Sequence, residues 1–155
     1  MTYVQKAGKI LPALALLFCV DVLPAKAQEV NDLGQAARPK VADIRARNGL
    51  ESLAVDDRLT RAAASHARDM AAGGFFAHEG SDGSGVGARA RRAGYGYCRV
   101  AENIAKGQGS LEEVLKGWMA SPGHRRNILD GEVTEFGLVR GPGDLWVMVL
   151  GRAGC

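Results

Sequence analysis

Three histidines, His66, His78 and His124, are the side chains of this 155-residue sequence best placed to change charge near neutral pH. His124 stands in the stretch Ser121-Pro122-Gly123-His124-Arg125-Arg126-Asn127-Ile128-Leu129. There Ser121 suits a helix N-cap, Pro122 is preset for the first helical position, and His124 falls in the first turn, close to unpaired N–H donors. Such a ledge can hold an imidazole for proton transfer or ligation. It can equally be a capped turn that tolerates a histidine, and only convergence of other residues separates the two. Ser121 beside His124 suggests a nucleophile and its base, but a capping hydroxyl is directed to the backbone and no orienting acid is evident, so Ser121 is assigned to the cap.

The elements that must position these groups follow from periodicity. Asp56 caps a predicted helix whose apolar stripe is Leu59, Ala62, Ala63 and Met70, closed by Gly73-Gly74. His66 lies in that stripe, where a histidine is expected to be packed and hydrogen-bonded rather than a ligand. Phe75-Phe76-Ala77-His78-Glu79 then enters a Gly-, Ser- and Asp-rich loop ending near Gly85. A short helix is predicted over Val86 to Ala93; its Arg89, Arg91 and Arg92 are expected on a solvated face. In the predicted strand Arg99 to Ala105, the two-residue period puts Glu102 on the face of Val100 and Ile104. If that face is core, Glu102 is a carboxylate in a costly place; on an edge strand it would sit in water. Asn103 either positions Glu102 or closes a backbone bond.

Before these elements, the stretch 28–38 is expected to fray, with Pro39 opening a first helix and a linker running from Leu50 to Val55. After them, Ser110-Leu111-Glu112-Glu113 forms a capping box ahead of the stripe Leu111, Val114, Leu115 and Trp118, so Glu112 and Glu113 are helix-start residues. Val133 to Arg140 alternates as a strand, Gly141-Pro142-Gly143-Asp144 turns the chain, and Leu145 to Leu150 is unbrokenly apolar. A strand of that kind is buried on both faces, which places helices on both sides of the sheet.

Length and 46% apolar content suit a single folded domain. Residues 1–27 read as a secretory signal peptide, with Lys6 and Lys9 before the apolar run Ile10 to Val20 and the small-x-small site Ala25-Lys26-Ala27. That run is too short to span a bilayer comfortably, and the mature chain shows no transmembrane segment. Removing the leader takes three lysines and one aspartate, bringing the net charge from +3 to about +1, which is no footprint for nucleic acid. Cys98 and Cys155 are the two cysteines left in an oxidising compartment and are expected to pair. Closing that long loop contributes about 4 kcal/mol at most in the chain-entropy model.

Four stretches in order, Phe75-Phe76-Ala77-His78, Gly94-Tyr95 leading to Ala101-Glu102-Asn103-Ile104-Ala105, Trp118-Met119-Ala120-Ser121-Pro122-Gly123-His124-Arg125, and Thr134-Glu135-Phe136-Gly137, carry a resemblance. From roughly Ala42 to Gly151 the sequence resembles the bacterial secreted branch of the CAP superfamily, named for cysteine-rich secretory proteins, antigen 5 and pathogenesis-related proteins. The resemblance implies an α+β fold, a three-layer α-β-α sandwich with a small central, mainly antiparallel sheet, over 39–155. It also implies a cleft of two histidines and two glutamates, matched here by His78, Glu102 and His124. The fourth position falls at Ser121 or its neighbours, which leaves a reduced triad that Glu135 would join only from a favourable side of the sheet.

Two imidazoles and a carboxylate suit a divalent metal, zinc foremost, with an open position for water, and equally suit acid and base chemistry. The expectation is a secreted, monomeric binding module with a metal-holding cleft and a surface groove for a lipid or cell-envelope component. The alternative is a metal-assisted hydrolase in which His78, Glu102 and His124 would be the catalytic candidates.

Overall fold

The computed structural model describes residues 29–154, so the predicted signal peptide lies outside the described residues. In chain order the elements are β1 (Asn31–Asp32), α1 (Gly34–Ala46), β2 (Ala54–Val55), α2 (Asp57–Gly73), α3 (Val86–Arg92), β3 (Tyr97–Lys106), α4 (Leu111–Ala120), α5 (Pro122–Ile128), β4 (Glu135–Gly141) and β5 (Leu145–Ala153). The sheet runs β1-β4-β5-β3, with β2 sharing the outer edge of β4. All pairings are antiparallel except the short one between β2 and β4. No helix among the described residues is long and apolar enough to cross a membrane.

The apolar run at the end of the chain organises the layers. Every residue from Leu145 to Gly151 is buried, because β5 lies between β4 and β3 with helices on both faces. Trp146, Met148 and Leu150 point into one core with Val114, Leu115 and Trp118 of α4, Ile128 of α5, and Ala37 and Val41 of α1. Val147 and Val149 point into the other with Leu59, Ala63, Ala67 and Met70 of α2 and Ala90 of α3. Each valine, leucine, isoleucine or methionine among them contributes roughly 1.5–3 kcal/mol on leaving water. The α+β three-layer sandwich expected from the sequence is the observed architecture.

The close approach of α2 to the sheet depends on Gly137. A Cβ there would lie 2.2 Å from the Thr60 backbone nitrogen and 2.5 Å from the Leu59 carbonyl carbon, so only glycine lets the helix rest on β4. At the N-terminus of α2, Asp56 accepts the Arg58 and Leu59 N–H groups at 2.8 and 3.2 Å, as a cap should.

Three local expectations are corrected. The first helix opens at Gly34, not at Pro39, because the Asp32 carboxylate accepts the Gly34 N–H at 2.8 Å and Ala37 is drawn into the core. The linker before α2 contains β2, whose Ala54 and Asp56 N–H groups bond Thr134 and Phe136 carbonyls. In the capping box, Ser110 Oγ accepts the Glu113 N–H at 3.2 Å, but the Glu113 carboxylate returns to Gly109 rather than to Ser110.

Candidate functional site

Strand β3 is the edge of the sheet, and the site is hung from its middle. Glu102 pairs with Val149 and Asn103 with Met148, so the two neighbours project to opposite faces. Glu102 is 7% exposed, on the α2–α3 side with Ile104, as its spacing from Val100 and Ile104 requires. Its burial is compensated at both oxygens: Oε1 accepts from His78 Nδ1 at 2.9 Å, and Oε2 accepts from Arg89 Nη2 at 2.8 Å. A carboxylate only accepts, so His78 carries its proton on Nδ1. The His78 side chain is otherwise open to solvent, at 60% exposure.

Asn103 serves the opposite face and is fully buried. Its side-chain amide donates to the His124 carbonyl at 3.0 Å, and its oxygen accepts from Asn127 at 2.8 Å. Asn127 also donates to the Glu102 carbonyl at 3.2 Å. Helix α5, and with it His124, is thereby fastened to Asn103 and to the backbone of Glu102, the residue whose side chain holds His78. The His124 ring lies 6.4 Å from the Trp118 ring, centre to centre. Burial first, and then the charge on His78, lower the His124 pKa from the ordinary imidazole value.

Ser121 departs from its expected role. Its extended backbone begins α5 and its carbonyl accepts the Arg125 N–H at 2.8 Å, but its hydroxyl makes no capping bond. The Pro122 ring occupies the first helical position, and backbone geometry alone starts the helix. Ser121 instead lines a groove of about 320 Å³ with Phe76, Ile104, Val114, Trp118 and His124. The groove has an apolar floor, a histidine at one side and Lys106 at its rim.

His66 is the packed core histidine its stripe predicts. It is fully buried and donates from Nε2 to the Ala77 carbonyl at 2.8 Å, with Nε2 3.8 Å from Glu102 Oε1. Burial is the largest influence on its pKa and pushes it down; Nδ1 is buried without a partner. Glu135 lies away from these groups: its carboxylate accepts a short hydrogen bond from the buried Tyr95 hydroxyl, whose own pKa is raised by burial and then by that bond.

Arg89 is the site residue that sequence reasoning missed. It is 4% exposed, not on a solvated face, and donates to the Ser84 carbonyl, the His78 carbonyl and Glu102. The physical reason is its spacing: Val86, Arg89 and Ala90 share the inward side of α3, and the buried carboxylate at Glu102 supplies what a buried guanidinium needs. Arg91 and Arg92 do lie outward, Arg91 over the Tyr97 ring at 4.5 Å and Arg92 paired with Asp82 at 2.6 Å.

The cysteine-rich secretory protein family model, CAP, matches residues 40–149. The chain belongs to the CAP family. This CAP domain is 34% identical over 125 residues to YkwD of Bacillus subtilis, an alignment covering 74% of this chain and 49% of that protein. It is 27% identical over 95 residues to the B. subtilis membrane protein YlbC, covering 61% of this chain and 28% of that one. The CAP domain therefore spans half or less of the length of these curated relatives. Among solved structures it matches an extracellular SCP-domain protein of Bacillus anthracis, with TM-score 0.72 and 29% identity, over 76% of this chain and 39% of that one. An outer surface protein of Borrelia burgdorferi shares the fold at TM-score 0.72 and 19% identity, over 82% of this chain and 99% of that one.

Among the described residues, no group of three or more His, Cys, Asp or Glu side chains is gathered so as to hold a metal ion. Glu102 explains why: to ligate directly it would have to release either His78 or Arg89. The donors left to a cation are the two imidazoles, with Glu102 behind His78 as an orienting carboxylate.

Proposed function

We propose that this protein is an exported binding module in which the cleft of His78, Glu102 and His124 takes a divalent cation and the adjoining groove takes a lipid or another apolar envelope component. The groove carries the reading. Phe76 is 47% exposed and is, among the described residues, the large apolar side chain left in water; it lines the groove together with Ile104, Trp118 and His124. An exposed aromatic next to an open apolar trough is suited to cover a hydrocarbon segment.

Export is supported by the leader-like N-terminal sequence and by the solved relatives described as extracellular or outer-surface proteins. The predicted partner of Cys98, Cys155, lies outside the described residues. Pairing is supported by the adjacent backbone, where the Gly154 N–H donates to the Gly96 carbonyl at 3.2 Å and Tyr97 pairs with Ala153.

For the cation, His78 Nε2 and His124 are imidazole nitrogen donors of the kind zinc accepts, and Glu102 fixes the His78 tautomer that presents a lone pair. Two protein ligands suit an exchangeable ion rather than a closed structural site. When bound, such an ion supplies Lewis-acid character next to the groove. That chemistry leaves room for a second reading, a metal-assisted hydrolase, favoured by the His124 pKa, which burial and then His78 shift toward the neutral form that can accept a proton. Against it, both oxygens of Glu102 are engaged, so no carboxylate in the cleft is left to act as a base.

Titration with a dansylated lysophospholipid tests the groove. The wild type should bind saturably and Phe76→Ala about tenfold more weakly, the equivalent of roughly 1.4 kcal/mol of apolar contact. Absence of binding by the wild type overturns the lipid reading. Zinc calorimetry on the wild type and on His124→Ala tests the cleft, where binding that ignores His124 overturns it. Cleavage of an envelope polymer that disappears in a His78→Ala/His124→Ala double variant would establish the hydrolase instead.

A further inference from the structure

Residue Arg89 makes more contacts with the cleft than neutralising a buried carboxylate requires. Nη2 donates one hydrogen to Glu102 Oε2 at 2.8 Å and the other to the His78 main-chain carbonyl at 2.9 Å. Nη1 reaches the Ser84 carbonyl at the far end of the loop that carries His78. One planar group on α3 thus grips the backbone of His78, the carboxylate to which the His78 ring is bonded, and the return of the loop. A lysine, a point charge on a flexible stem, would balance the carboxylate without the rigid fork that ties these three acceptors together.

We infer that Arg89 is a positioning residue for the cleft: it fixes the His78 ring with Nδ1–H on Glu102, so that Nε2, which makes no bond to the protein, faces a ligand as an acceptor. Glu102 Oε2 is held by Arg89 and leaves Oε1 to His78; the carbonyl grip sets the height of the His78 backbone above that oxygen. Without the guanidinium, Oε2 loses its partner and the carboxylate is free to rotate, so Oε1 is no longer held against the His78 ring and the ring loses its reason to keep the proton on Nδ1. The inference depends on the two-histidine reading only where zinc is the probe.

The experiment uses the full chain with ¹⁵N-labelled histidine, as wild type, Arg89→Lys and Arg89→Met. Long-range ¹H–¹⁵N correlation of the His78 ring reports the tautomer, and thermal melting reports the fold. The wild type should show predominantly the Nδ1–H form; R89M, and to a smaller extent R89K, should shift His78 toward Nε2–H while keeping a cooperative melt. Zinc affinity should fall about tenfold in R89M, the size expected when the partner behind a ligand is disturbed. If R89M does not fold, R89K decides. A folded variant with the wild-type His78 tautomer overturns the inference, because a purely structural ion pair would leave the ring unchanged. A wild type that binds no zinc refutes the two-histidine reading and leaves the tautomer to decide the role of Arg89.

Discussion

Substituting Glu102 by Gln removes one charge from a pair whose side chains are 2% and 4% exposed, and keeps the shape. Gln can still accept from Arg89 with its oxygen, and its amide can donate to His78 Nδ1, so the hydrogen-bond count survives. What is lost is the counter-charge of a buried guanidinium. Breaking such a pair from one side costs about 3–5 kcal/mol, because the remaining ion is neither solvated nor matched. Retention of both hydrogen bonds argues for the low end, about 3 kcal/mol, and a shift in melting temperature on the order of 10 °C for a domain of this size. Urea unfolding read by the fluorescence of the buried Trp118 and Trp146 measures it directly. The control is the double variant Arg89→Met/Glu102→Leu, which removes both charges and should return to within about 1 kcal/mol of the wild type. A loss below about 1 kcal/mol for Glu102→Gln, or no recovery in the double variant, would refute the argument from burial.

Gly137→Ala should cost about 3 kcal/mol or more in the same urea experiment, since the new methyl would meet α2 backbone rather than a yielding side chain; a neutral outcome would mean that α2 stands off the sheet. Stability should also fall on acidification. Burial lowers the folded pKa of His66, and burial followed by His78 lowers that of His124, so the unfolded chain takes up protons first: stability is complete above about 6.5 and declines as pH falls through the folded values. The cap carboxylate Asp56, lowered chiefly by its hydrogen bond from Arg58, adds a later loss in the same direction below the ordinary carboxylate range. A melting temperature that is flat between pH 7 and 5, or a slope that His66→Gln leaves unchanged, would contradict the histidine assignment.

Periodicity carried most of the fold. The doubly buried β5, the stripe of α2 and the capped start of α4 are each decided by residues within one element, and each stands where the pattern puts it. The two-residue strands β1 and β2 had no pattern of their own, since their bonds are made to β4, far along the chain: Asn31 pairs with Arg140 and Ala54 with Glu135. The start of α1 was hidden for the same reason: a local proline rule pointed to Pro39, and the side chain of Asp32 with the burial of Ala37 outweighed it. Within the site, the buried face of Glu102 was legible from Val100 and Ile104. Arg89 was not, because three arginines in four residues look solvated until one of them is seen to have a buried partner. Its spacing from Val86 and Ala90 was the available signal.

Period-two alternation in β3 also bears on what the cleft is for. Glu102 and Asn103 send their side chains to opposite layers, one holding the ring of His78 and the other the backbone of His124, so both histidines are positioned from adjacent residues of one strand. At Ser121, where the resemblance would place a second acid, the hydroxyl is unbonded and faces the groove. A carboxylate there would put charge against the trough formed by Ile104, Val114 and Trp118, and would compete with an apolar occupant. A serine leaves that surface neutral. The same position that leaves the cleft without a second carboxylate thus keeps the groove uncharged, which suits the apolar occupant proposed for it.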